Sequence, residues 1–268
     1  MLGKLFFFLK IDLLEAMSYK LSFIFSILGI FFSSATFFFI SKLIPNSGSA
    51  PIAPYGGDYF SFVMVGLVFS ELLGVFESTF PGKIRQAQVS GTLESLFMTR
   101  TSFSTILIGL TIYPFIFTLF RIVFYFILGL LVFGLKFGAI NWPAAILIFF
   151  FGSICFLSIG ILSASFILVY KMGNPLSWVF GTVSGLLGGV FFPISVLPGW
   201  LKWLSYILPI THALEGARKS MLVSSSFSSI MPNIITLAVF GAIFFPISLY
   251  LFQLAVKKAK KQGVLAQY

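Results

Sequence analysis

A chain of 268 residues with 59% hydrophobic and only 9% charged side chains lacks the charged surface, about a quarter of residues, that a soluble domain turns to water. The apolar character, a mean hydropathy of +1.07, runs from end to end, so a secretory leader does not account for it and lipid is the expected solvent. The net charge of +10 comes from Lys and Arg placed mostly between apolar runs, the pattern of positive-inside topology and not of a nucleic-acid surface, while a single cysteine, Cys155, excludes an internal disulfide or a cysteine-based metal site.

A helix needs about 20 mostly apolar residues to cross the hydrocarbon core. The first 20 residues instead predict a helix lying in the membrane interface. Leu2, Leu5, Phe6, Leu9, Leu13 and Met17 share one face, with Lys4, Glu15 and Ser18 opposite. A first span is expected at 21–43, followed by a loop from Ile44 to Asp58 interrupted by prolines and glycines. The second span covers 59–80 and stops at Pro81-Gly82; residues 82–102 are too polar to cross. The run 103–135 reads as one long helix kinked at Pro114, because splitting it at Arg121 leaves a piece too short to span. Further spans follow at 142–170, 176–197 and 234–256, the last stopped by Lys257, Lys258, Lys260 and Lys261.

Between the last two spans, 198–233 mixes Trp200, Trp203, Tyr206 and Pro209 with Lys202, His212, Glu215, Arg218 and Lys219. That composition suits short helices at the outer interface, where Trp and Tyr settle. The expected fold is therefore an all-α polytopic membrane protein with six transmembrane helices. Eleven of the 17 basic residues fall on the side of both termini and five, Arg218 among them, on the other, which makes both termini cytoplasmic. The abundance of Phe fits lipid-facing helices better than an aromatic substrate path.

The chemistry is read mostly by subtraction. The sequence has no His-Glu-x-x-His motif, no paired-aspartate motif and no Gly-x-Ser-x-Gly elbow, and its lone His212 beside Glu215 reads as structural, so catalysis by this chain is not expected. It has no phosphate-binding loop either: Gly3-Lys4 and Gly82-Lys83 lack the spacing and the hydroxyl. Three charges fall within expected spans, Glu71, Glu77 and Arg121. Such charges are costly in lipid and face a partner or a polar cavity. Glu71 and Glu77 lie about 240° apart around a helix, so a pair of Arg121 with one of them is expected. The alternative is an ion-coupling site of a secondary transporter or channel, although the internal repeats common in that class are not evident.

The most informative stretch runs from Arg85 to Ser102. Gly91 breaks the chain, Thr92 is a good N-cap, Glu94 sits in the first turn, and Leu93, Leu96 and Phe97 share a face, with Arg100 at the end that favours a cation. This predicts a short amphipathic helix along the membrane. Gly91-Thr92-Leu93-Glu94-Ser95-Leu96 resembles the cytoplasmic coupling segment of the type-2 permeases of ATP-binding cassette exporters. Gly189-Val190-Phe191-Phe192-Pro193, Leu197-Pro198-Gly199-Trp200-Leu201, Leu208-Pro209-Ile210 and Glu215-Gly216-Ala217-Arg218 resemble that family's outer region, and the likeness covers nearly the whole chain. The resemblance implies six spans, an N-terminal interfacial helix and a re-entrant helical hairpin before the last span. It implies two ATPase subunits beneath, which carry ATP and Mg, and a second copy or a paralogue alongside, with no cofactor on this chain. Implied substrates are drugs, lipids, lipid-linked glycans and, in some cases, ions or peptides. The usual basic, polar N-terminal region of the polysaccharide branch is not found here, which weakens a glycan substrate.

Overall fold

The computed structural model describes residues 2–44, 51–93, 103–170, 174–223 and 225–261. Among them the regular structure is wholly helical: α1 (Leu2–Ser18), α2 (Lys20–Leu43), α3 (Tyr59–Val89), α4 (Phe103–Leu131), α5 (Trp142–Tyr170), α6 (Pro175–Leu187), α7 (Gly199–Ile207), α8 (Pro209–Met221) and α9 (Phe227–Lys261), with one-turn 3-10 helices at Ala53–Tyr55 and Ile194–Val196. Five of these, α2, α3, α4, α5 and α9, are long and apolar enough to cross a membrane.

α3 is the axis of the bundle. It begins where the Asp58 side chain accepts from the Ser61 amide at 2.9 Å, and it buries successive turns in different neighbours. Phe60 and Met64 meet α2 and α4, Leu73 meets α5 and α8, and Phe80 and Ile84 meet α5 and α9. Lipid tails are as apolar as these side chains, so the association rests on close packing and internal hydrogen bonds. Phe80, Leu93, Leu168, Phe252 and Ala255 share one cluster, which sets the ends of α5 and α9 beside the tail of α3. We call this the basic end, after Lys83, Arg85 and the lysines that close α9. The opposite cluster holds Val65, Ala144, Ala217, Met221 and Ile230.

Two expected boundaries move furthest, while α9 starts at Phe227, inside the stretch expected to precede the last span, and α4 ends at Leu131. α3 does not stop at Pro81-Gly82 but continues to Val89, so the first part of the polar 82–102 segment is helix. α6 has 13 residues, about 20 Å at 1.5 Å per residue, where a span over 176–197 is expected. The chain then leaves the helix at Gly188, and the following stretch through Pro198 carries only the 3-10 turn. α6 and this irregular stretch together still lead from the basic end to the opposite one: Ser177 bonds Ser163 at 3.2 Å, and Val190 reaches the first turns of α3 by way of Arg218.

Candidate functional site

The expected intramembrane pair forms between Glu71 and Arg121. Nη2 of Arg121 lies 2.8 Å from Oε1 of Glu71, and the Tyr125 hydroxyl donates to the same oxygen at 3.2 Å. Glu77, six residues along α3, does not join them: it is 5% exposed and has no ion pair or hydrogen bond among the described residues. Glu71, Glu77 and Arg121 nevertheless line one cavity of about 430 Å³ with Gly74, Thr118, Ser177 and Gly181, so α3, α4 and α6 all contribute to its wall.

At the basic end, α3 closes with a left-handed Gly91 at φ 70°. The Gly91 amide donates to the Gln88 carbonyl at 3.3 Å and the Thr92 amide to the Ala87 carbonyl at 2.9 Å, the two bonds of a Schellman cap. Leu93 then drops into the basic-end cluster, 1% exposed. Glu94, Leu96 and Phe97 lie outside the described residues. α1 packs along α4, where the Phe8 ring covers Gly109, and is tied to α3 two turns before the cap: Lys83 binds Asp12 at 2.8 Å and lies 4.0 Å from Glu15. Asp12 faces inward, while Phe6, Leu13 and Met17 of the expected lipid-facing stripe are exposed.

At the opposite end, Arg218 is not the surface charge that the topology count makes it. It is 3% exposed. Its guanidinium donates to the carbonyls of Phe62 at 3.2 Å, Gly189 at 2.7 Å and Val190 at 2.8 Å, and lies 3.5 Å from the centre of the Phe62 ring. The early end of α6 strands carbonyls that no helix satisfies, and unsatisfied backbone groups are intolerable at membrane depth. Arg218 answers that need. Glu215 pairs with Lys219 at 2.7 Å, and His212 lies 2.9 Å from the Tyr206 carbonyl, a structural contact. Burial pushes the Tyr55 hydroxyl above its ordinary value, with Glu215 adding to the rise and Arg218 opposing it. Pro193 precedes the 3-10 turn, Pro198 precedes α7 and Pro209 opens α8, while Trp200 and Trp203 remain exposed on α7.

Apolar helices of spanning length, a half-buried Glu71–Arg121 pair between two of them and irregular backbone satisfied from within define a multi-pass membrane protein. The family model described as ABC-2 type transporter matches residues 1–222, and the chain belongs to that family. It is accordingly an ATP-binding cassette transporter permease subunit, of a kind that generally works with an ATP-binding cassette subunit. Comparison with curated proteins gives no match. The matched region ends just past α8, so α9 is outside it.

Proposed function

We propose that the chain is the membrane-spanning half of an ATP-driven exporter in the cytoplasmic membrane, moving a hydrophobic or amphipathic substrate such as a drug, a lipid or a lipid-linked molecule. Two ATPase subunits, which hold ATP and Mg, bind the basic end, and a second copy of the chain or a paralogue completes the pathway. Both termini are cytoplasmic. α6 with the stretch after it makes the sixth crossing, and α7 with α8 makes an outer re-entrant hairpin. The motor pushes on residues Gly91, Thr92, Leu93, Glu94, Leu96 and Phe97.

The observation that carries this reading is the construction of the basic end. Lys83 ties α1 to α3, and the Schellman cap followed by the buried Leu93 holds the start of the coupling segment against α3 without slack. A push there acts on a helix that also lines the charged cavity. The secondary-transporter alternative loses support from the Glu71–Arg121 bond, which neutralises two of its three charges against each other.

Purification in mild detergent, with mass spectrometry of the copurifying proteins and an ATPase assay, tests the reading. A stoichiometric ATP-binding partner with hydrolysis is expected. The chain alone, even after crosslinking in intact membranes, would return weight to an ion-coupled transporter or channel. Glu94→Ala is expected to leave assembly intact and uncouple hydrolysis from transport; unchanged substrate-stimulated ATPase and transport would remove Glu94 from the coupling role.

A further inference from the structure

The cavity between α3, α4 and α6 holds two carboxylates and one guanidinium. Glu71 and Arg121 cancel each other at 2.8 Å. That leaves Glu77, more than nine-tenths buried, lining the cavity and without a partner among the described residues. A carboxylate in a membrane interior faces either a partner or something the cavity admits. We propose that the cavity binds the positively charged nitrogen of an amphipathic organic cation, with Glu77 as its counter-ion. This deepens the permease reading, on which it rests, by naming the substrate class.

The walls fit such a ligand. A Cβ added at Gly74 or Gly181 would meet nothing within 4 Å, so the cavity is open beside both helices. Its volume of about 430 Å³ falls in the range of small-molecule sites. Thr118 adds a hydroxyl to the cavity wall, whereas the Ser177 hydroxyl is engaged by Ser163 and that of Ser78 by the Gly74 carbonyl. Calcium or magnesium is a poor occupant, because such ions take about six or more oxygen ligands. The described residues hold no group of three or more His, Cys, Asp or Glu able to supply them. An organic cation needs one carboxylate, and Val75 and the glycines Gly74 and Gly181 leave apolar wall beside it for the body of the ligand. Ser177 lies in the first turn of α6, which sets the cavity towards the basic end, the side from which an exported cation enters.

The test is direct binding to the full-length chain in lipid nanodiscs without any ATPase, so that its outcome is independent of motor partnership. The probes are rhodamine 6G, a permanent cation, and Nile red, a neutral dye, followed by fluorescence anisotropy against empty nanodiscs. Glu77→Gln is expected to weaken rhodamine 6G binding about tenfold or more and to change Nile red by less than about twofold, the signature of one lost charge contact. Glu77→Asp keeps the charge and is expected to retain the preference for the cation. Thr118→Val supplies a second variant should Glu77→Gln not fold; a selective loss for rhodamine 6G is expected there too. Equal loss of both dyes, or no loss of either, would overturn the proposal. Displacement of rhodamine 6G by millimolar sodium or potassium from the parent chain but not from Glu77→Gln would assign the cavity to an inorganic cation instead.

Discussion

Arg218 makes three backbone bonds from one side chain, and removing it strands the Gly189 and Val190 carbonyls, while that of Phe62 keeps its partner inside α3. Each unsatisfied buried group costs about 1–3 kcal/mol. Arg218→Met is therefore expected to lower stability by about 2–5 kcal/mol, read as a fall in the unfolding temperature of the solubilised chain by tryptophan fluorescence. Arg218→Lys is expected to recover only part, since one ammonium lacks the fork that reaches all three oxygens. For Glu71 and Arg121, the single changes to Gln are each expected to cost more than the double change, with a coupling of about 1–3 kcal/mol in a double-mutant cycle. That pair is legible in the sequence, because opposite charges in neighbouring spans have few other partners. The role of Arg218 is not, since beside Glu215 and Lys219 it reads as a loop charge. A signal was nevertheless there: Ile210, Ala213, Leu214 and Ala217 recur at helical spacing, and Arg218, four residues past Leu214, continues that buried stripe.

At the scale of elements, the continuation of α3 through Pro81 has a definite cost and a definite remedy. Proline at 81 has no amide to give to the Glu77 carbonyl four residues back. α5 moves in over that spot: a Cβ added at Gly160 would lie 2.5 Å from the Phe76 carbonyl oxygen and 2.9 Å from that of Glu77. Gly160→Val is expected to force α5 off α3 and cost about 1–3 kcal/mol, measurable in the same melting experiment. Read locally, Pro81-Gly82 is a stop; burial of Phe80, Pro81 and Ile84 against α5 and α9 overrides it. The shortness of α6 has the reverse cause. Hydrophobicity alone does not distinguish a helix from an irregular apolar run, and Gly188-Gly189-Val190-Phe191-Phe192 is nearly as apolar as the least apolar of the spans. That the first residues form a helix, α1, is legible in the sequence. Its tie to α3 is not, because Asp12 and Lys83 are 71 residues apart. Asp12→Asn is expected to speed hydrogen exchange in α1 with a small stability loss, about 0.2–1 kcal/mol for a partly exposed pair.

For the whole molecule, the all-helical polytopic architecture follows from composition and run lengths, whereas the uncovered faces become visible only in the assembled bundle. Ile30 and Ser34 are the buried residues of α2, and α6 leaves Trp178, Val179 and Leu186 exposed. If a second copy covers α6, Val179→Cys is expected to crosslink to itself and give a species of twice the mass with a short bis-maleimide, while Cys155 stays buried and unreactive. A heterologous mass in native membranes would indicate the paralogue instead. The Arg218 tie bears also on how the protein is made. It joins residues 156 positions apart, and synthesis and insertion proceed from the N-terminus. A nascent chain halted before residue 218 already contains α3, α6 and the peptide after them, with no guanidinium to hold that peptide. Its carbonyls must bind water or lipid headgroups until α8 arrives, so the end of the bundle opposite the basic end is among the last parts of the permease to mature.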